Sequence, residues 1–310
     1  MLTLDRVYKA SEVLKEIIRD TDMIKAPKIN PCADVFLKTE NLQVTGSFKV
    51  RGSYFKISQL SEEEKRKGVI ACSAGNHAQG VALAATKNGI KSTICLPDGA
   101  PISKVEATKR YGANVCLVKG VYDDAYNKAI ELRDKEGYTF IHPFNDPDVI
   151  AGQGTIGLEI LRQLPDVDVV VVPIGGGGLI SGVAYTIKQL KPSCKVYGVQ
   201  AQGAPSMEHS VTDGKIETLN AVNTIADGIA VKTLGDLTFT VSRNTIKTFE
   251  DMSWNKTASI ATHDRIGRRD LTEFLGMEPD TMDFEITFSV FLGTNPLKQF
   301  AVAKKMQENG

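Results

Sequence analysis

The sequence predicts an α/β protein built from two open, doubly wound, mostly parallel sheet domains. Three observations lead there. Between Val69 and Gln200, short apolar runs alternate regularly with helix-length segments, the pattern of parallel strands joined by crossover helices. Small or glycine-rich residues follow several of the runs, as at Ser73–Gly75 and Gly175–Gly178. The chain has 310 residues, enough for two domains at roughly 150 residues each.

Taken in order, Ala10 to Arg19 reads as an amphipathic helix and Asp34 to Glu40 as a strand. Lys49 precedes a helix-like segment. Val69–Cys72 is a strand and Asn76–Lys87 a helix. The alternation continues with strand Ser92–Leu96, helix Ile102–Tyr111, strand Asn114–Val118 and helix Asp123–Lys135, which Gly137 ends. Tyr138–His142 is a strand and Gly154–Leu164 a helix. Asp168–Ile174, Leu179–Leu190 and Lys195–Gln200 read as strand, helix and strand. Right-handed crossovers turn such a series into an open sheet with helices on both faces. Its ligands gather outside the carboxyl ends of the strands. After about Phe249 the pattern degrades, leaving a candidate strand at Phe284–Leu292 and a candidate helix at Gln299–Gln307.

Composition narrows the function. Lys and Arg total 37, as do Asp and Glu. Without a basic excess, no nucleic-acid partner is expected. The uncharged run Val169–Ile187 contains Pro173, Gly182 and four successive glycines, so it reads as strand, loop and helix, and no membrane partner is expected. The N-terminus lacks an apolar signal core, and the five cysteines form no CxxC pair, which together suggest a cytoplasmic protein with reduced thiols.

Three loops are candidates for chemistry. Gly175-Gly176-Gly177-Gly178-Leu179 lies between a Val-rich strand and a helix. Its N–H groups and the helix start would cradle a phosphate; a tight ligand-free turn is the alternative. It is no dinucleotide fingerprint, because the third glycine of GxGxxG falls on Ile180 or Ser181 and Gln200 stands where an acid would bind ribose. In Thr45-Gly46-Ser47-Phe48-Lys49-Val50-Arg51-Gly52, a lysine at a helix start would have a lowered pKa and so suit Schiff-base chemistry; by spacing alone a solvated lysine is the favoured reading. In Cys72-Ser73-Ala74-Gly75-Asn76-His77-Ala78-Gln79-Gly80, backbone N–H groups at a helix start suit a carboxylate, and helix capping would equally explain Ser73 and Asn76.

In order and spacing these loops, TGSFKVRG, SAGNHAQG and GGGGL, resemble the fold type II (β-family) pyridoxal-phosphate enzymes, whose architecture is tryptophan synthase β-like. DPDVIAGQGTIGLEI, PIGGGGLISG and TIADGI are similar to short, catabolic-type threonine/serine dehydratases (threonine ammonia-lyases). The resemblance runs from about Lys38 to Gly228, and the length leaves no room for a C-terminal regulatory domain. It implies pyridoxal 5'-phosphate as cofactor, bound as a Schiff base to Lys49. Phe48 would pack on the ring, Asn76 would bond its phenolic oxygen, and Gly175, Gly176, Gly177, Gly178 and Leu179 would hold its phosphate. Ser73, Ala74, Gly75, Asn76 and His77 would receive the substrate carboxylate, with Lys49 and Ser73 as the candidate catalytic pair. Residues 53–146 would form a small mobile domain, and 1–52 with 147–310 a large one.

The activity implied is dehydration and deamination of L-threonine, and of L-serine, to 2-oxobutyrate or pyruvate and ammonia, in amino-acid catabolism or isoleucine biosynthesis. Freed Lys49 would take the Cα proton while the cofactor spreads the charge. Related serine racemases commonly carry serine where Ala74 stands, so elimination is expected over racemisation. Racemisation, β-replacement on the same scaffold, or a catalytically impaired cofactor-binding homologue are the alternatives. A homo-oligomer, dimer or tetramer, is also implied.

The C-terminal part departs from the family. Its Ser-Gly-Gly-Asn loop is absent, and the nearest candidate is Leu292-Gly293-Thr294-Asn295, with Thr294 as the pyridine-nitrogen partner. An unrelated or frameshifted segment is the alternative. No metal is expected, since Gln202 stands where relatives place a glutamate, with Glu208 nearby. Thr45 and Gln79 are too few matches to predict a nucleotide effector site.

Overall fold

The computed structural model describes residues 1–30 and 33–245, together with the backbone of two later strands. Helix α1 (Leu4–Leu14) starts earlier than expected, because the Thr3 hydroxyl caps it by accepting from the Arg6 N–H; Val7, Ala10 and Leu14 are its buried face. Strands β1 (Met23–Lys25) and β2 (Phe36–Lys38) form a small antiparallel ribbon. After it come α2 (Lys49–Ser58) and α3 (Glu62–Lys67). The charged α3 has no apolar stripe; a Ser61–Glu64 capping box starts it.

The first sheet contains β3 (Val69–Cys72), β4 (Ser92–Pro97), β5 (Asn114–Val118) and the short β6 (Thr139–Phe140), in the order β5-β4-β3-β6 and parallel throughout. Helices α4 (Asn76–Lys87), α5 (Ile102–Arg110) and α6 (Tyr122–Glu136) connect them. Gly137, at φ +75°, ends α6 in the left-handed conformation. On one face, β3 and β4 pack with Val81, Ala82 and Ala85 of α4; on the other, Ile70, Cys72 and Cys95 pack with Ala125 and Ala129 of α6.

Helix α7 (Pro147–Gln163) begins seven residues before the expected start. Asp146 caps it by accepting from the N–H groups of Asp148 and Val149, with proline at the first turn. It is followed by β7 (Val169–Pro173), α8 (Gly178–Leu190), β8 (Lys195–Ala201), α9 (Ser206–Asp213) and α10 (Asp236–Thr245). The uncharged run is therefore strand, loop and helix, and no described helix is long and apolar enough to cross a membrane. In the second sheet β7 and β8 are parallel. Strands β9 (Ser253–Ile260) and β10 (Met282–Phe291) extend it in the order β7-β8-β10-β9 with antiparallel pairing. The α/β class holds, while this sheet is more mixed than expected; antiparallel strands at one side of an α/β sheet are common. The candidate helix Gln299–Gln307 and Cys32 lie outside the described residues.

The glycines of α7 and α8 are contact points. A Cβ on Gly182 would lie 2.3 Å from the Ile150 carbonyl oxygen and 2.6 Å from the Gly154 nitrogen. One on Gly152 would lie 2.6 Å from the Gly52 Cα. The three helices thus touch backbone to backbone. Gly182→Ala is expected to cost about 1–3 kcal/mol by overpacking, read as a fall in the urea midpoint. An unchanged midpoint would contradict this packing.

Candidate active site

The three loops singled out in the sequence each end in the first turn of a helix. Phe48 immediately precedes α2 and Lys49 is its first residue. Ser73, Ala74 and Gly75 follow β3, and Asn76 and His77 open α4. Gly175, Gly176 and Gly177 follow β7, and Gly178 and Leu179 open α8. Thr294 lies outside the described residues.

One segment joins all three, and nothing in its sequence singled it out. It runs from Ile141 to Asn145. His77 Nε2 lies 2.8 Å from the Ile141 carbonyl oxygen. Lys49 Nζ donates to the Pro143 carbonyl oxygen at 2.8 Å. The Phe144 ring lies 2.3 Å from where a Cβ on Gly176 would sit, and the Phe144 Cβ 2.8 Å from one on Gly178. His142 Nδ1 accepts from the N–H groups of Phe144 and Asn145 at 3.2 and 2.8 Å, which turns the chain at that point. Helix α4 also lies on the start of α2: a Cβ on Gly80 would stand 3.1 Å from the Lys49 backbone.

Electrostatics follow from this enclosure. Burial lowers Lys49 to about 8; burial, rather than the helix terminus, is the cause. Its ammonium sits 5.4 Å from the centre of the Phe48 ring. His77 is lowered to about 3 and His142 to about 4, first by burial and then by the charge on Lys49. Both imidazoles are therefore neutral around pH 7, and His142 Nδ1 is the unprotonated nitrogen.

The acid limb of stability follows. A histidine whose folded pKa is depressed contributes stability that is present above about 6.5 and is lost as pH falls toward the folded value. Between pH 7 and pH 5, each of these two should cost about 2 kcal/mol. Urea midpoints for His77→Asn should fall less steeply over that interval than those of the unmodified chain; parallel slopes would refute the burial of neutral His77.

The loops also fit an anionic ligand. Gly177 takes φ +92°, and a Cβ there would lie 2.9 Å from both Met207 Cε and Thr238 Cβ. The Thr238 hydroxyl donates to the Gly176 carbonyl at 2.7 Å. This turn aims the first N–H groups of α8, which have no partner within the helix, out of its end. Gly75 is different: a Cβ there would meet nothing within 4 Å, so the loop before α4 borders open space. The Ser73 hydroxyl accepts from the Gly75 N–H at 3.1 Å, and the Ser73 N–H donates to the Cys95 carbonyl at 3.2 Å. Phe48 and Leu179 pack on the same apolar cluster as Ile174 and Ile180. Among the described residues, no group of three or more His, Cys, Asp or Glu side chains is placed to hold a metal.

A buried ion network, which the reading of the loops also missed, sits behind Lys49. The Arg51 side chain is wholly buried. It donates to both carboxylate oxygens of Glu40, each at 2.8 Å, to both of Glu159 at 2.6 and 2.9 Å, and to the Thr155 hydroxyl at 3.1 Å. Lys38 adds an ion pair to Glu159 at 2.6 Å. Burial alone would lower the guanidinium pKa, but the hydrogen bonds to the two carboxylates outweigh it and raise it. The network fastens the first turn of α2 to α7.

The family model described as pyridoxal-phosphate dependent enzyme matches residues 14–262. The chain belongs to this family. An L-threonine ammonia-lyase from Thermotoga maritima is 53% identical over 241 residues, 77% of this chain; the match spans 60% of that relative's length. Among solved structures, the processed form of threonine deaminase isoform 2 from Solanum lycopersicum aligns at TM-score 0.74 and 41% identity, covering 78% of this chain and 72% of the other. Maize serine racemase aligns at TM-score 0.76 and 38% identity, covering 79% and 74%. The family's cofactor is the small phosphorylated group that the glycine loop and a buried, readily deprotonated lysine would suit.

Proposed function

We propose that the chain eliminates water from L-threonine, and from L-serine, giving a 2-oxo acid and ammonia. The observation that carries this reading is the segment Ile141–Asn145, which ties a buried lysine, a phosphate-type glycine turn and a carboxylate-type loop into one site. The names of the ammonia-lyase and deaminase relatives support the substrate class.

The roles follow from chemistry and place. N–H groups of Gly175–Leu179 would hold the cofactor's phosphate, and Asn76 would bond its ring hydroxyl. N–H groups of the Ser73–His77 loop bind the substrate carboxylate. Bound pyridoxal phosphate supplies an electron sink for the charge that develops on the substrate α-carbon. Lys49 would hold the cofactor through Nζ, and the same amine is the base that would take the α-proton; a pKa of about 8 leaves a fraction of the amine neutral near pH 7. His77, neutral and fixed on Ile141, orients the loop and adds no charge beside the lysine. Residues 53–146, with the first sheet, close over the remainder of the chain and exclude water.

Racemisation needs a second proton donor on the face opposite Lys49. The methyl group of Ala74 cannot be one. Incubation of the cofactor-loaded protein with L-threonine should release 2-oxobutyrate, and with L-serine pyruvate without accumulation of D-serine. D-Serine without keto acid would replace this reading by the racemase one.

A further inference from the structure

Three cysteines stand side by side in the first sheet. In the parallel register Cys72 of β3 pairs with Cys95 of β4, and Cys95 pairs with Cys116 of β5. Paired residues in neighbouring parallel strands point to the same face, so the thiols form a row beneath α6, packed with Ala125 and Ala129. Neighbouring strands lie about 4.8 Å apart, inside the roughly 4.4–6.8 Å between Cα atoms that a disulfide spans.

The three differ in access and partners. Cys72 is buried and its Sγ faces the Tyr122 carbonyl oxygen at 3.9 Å. Cys95 is buried and interacts side chain to side chain with Cys116. Cys116 is half-buried on β5, at the edge of the sheet. Burial, followed by the neighbouring Cys116 and Cys72, raises the Cys95 thiol to about 12 despite the nearby Lys128 ammonium of α6, so Cys95 stays protonated until Cys116 has been oxidised. An oxidant reaches Cys116 first, and its nearest partner is Cys95.

We propose that Cys95 and Cys116 form a reversible disulfide under peroxide, and that the link disturbs the substrate loop. Hydrogen peroxide oxidises the Cys116 thiol to a sulfenic acid and one water leaves. The Cys95 sulfur then displaces the sulfenic oxygen as a second water, forming the S–S bond. Two thiols thus lose two electrons and two protons to one peroxide. The coupling lies in the backbone: the Cys95 carbonyl accepts from the Ser73 N–H, so drawing Cys95 toward β5 pulls on the loop. The effect on turnover rests on the function proposed above; the formation of the link does not.

The test is peroxide treatment of the cofactor-loaded protein, followed by non-reducing peptide mass mapping and thiol titration in denaturant. Expected are a Cys95–Cys116 cross-linked peptide, loss of two of the five thiols, and about 10- to 100-fold lower turnover of L-threonine. Dithiothreitol should reverse all three. Cys116→Ser should yield no cross-link and keep its turnover under peroxide. A link made through Cys72 or Cys32, no link at all, or equal inactivation of Cys116→Ser would overturn the proposal. A linked protein with full turnover would overturn the coupling to the loop. If the chain turned over no threonine even when reduced, peptide mapping would still decide the link.

Discussion

Lys49→Ala is expected to lower 2-oxobutyrate formation from L-threonine by at least about 10³-fold, since it removes both the covalent anchor and the base at one position. The loss should fall on kcat as well as on cofactor retention. It should not unfold the protein. A buried amine whose pKa is lowered to about 8 costs stability at neutral pH, because the unfolded chain holds its proton more tightly and folding must give up that preference. Removing it relieves that cost, against a modest loss of packing. Lys49→Arg distinguishes charge from chemistry: it restores a cation near Pro143 and Phe48 but no amine able to form an imine, so turnover should stay lost.

The second large effect is on stability. Arg51→Met leaves Glu40 and Glu159 facing each other in the interior with Lys38 as the remaining cation at Glu159. Breaking a buried ion cluster from one side typically costs about 3–5 kcal/mol, because the charges left behind stay desolvated. The urea midpoint should drop accordingly. A companion variant, Arg51→Met with Glu40→Gln and Glu159→Gln, should recover much of the loss, because the uncompensated carboxylates are then gone. If the single variant were as stable as the parent, the network would be ornamental. Because Arg51 lies two residues after Lys49 on α2, the single variant should also bind cofactor more weakly.

Much of the first sheet was legible in the sequence. The strand Val69–Cys72, the helix Asn76–Lys87 and the strand Asn114–Val118 occupy the residues that their apolar patterns indicated. Where reading and structure diverge, the causes are specific. Helix α7 starts seven residues before the expected Gly154, and its added turns carry Gly152, which lies against Gly52 and Arg51 of α2, while Gly154 and Gly157 lie against α8. The cap Asp146-Pro147 was the local signal for its true start. Helix α3, EEEKRK, has no apolar period to read and depends on its cap and on ion pairs such as Lys65–Glu62. In the second sheet β10 covers most of the expected strand Phe284–Leu292, while β9 comes from a stretch with only short apolar clusters; antiparallel pairing of that kind leaves no βαβ signature.

The candidate site divides in the same way. Its loops were visible because glycine and small residues follow the strands there; a Cβ would intrude at Gly176, Gly177 and Gly178, though not at Gly75. The segment Ile141–Asn145 was not visible, since it acts through two backbone carbonyls and one ring against residues far away in sequence. Arg51 was in plain sight within its motif. Its partners Glu40 and Glu159 lie 11 and 108 residues away, and only folding brings them together.

Borohydride reduction of the cofactor-loaded protein, followed by digestion and peptide mass analysis, tests the central assignment most directly. A phosphopyridoxyl group on Lys49, in the peptide containing Gly46-Ser47-Phe48, is the predicted result. The same label on any other lysine, or on none after reconstitution with pyridoxal phosphate, would contradict it.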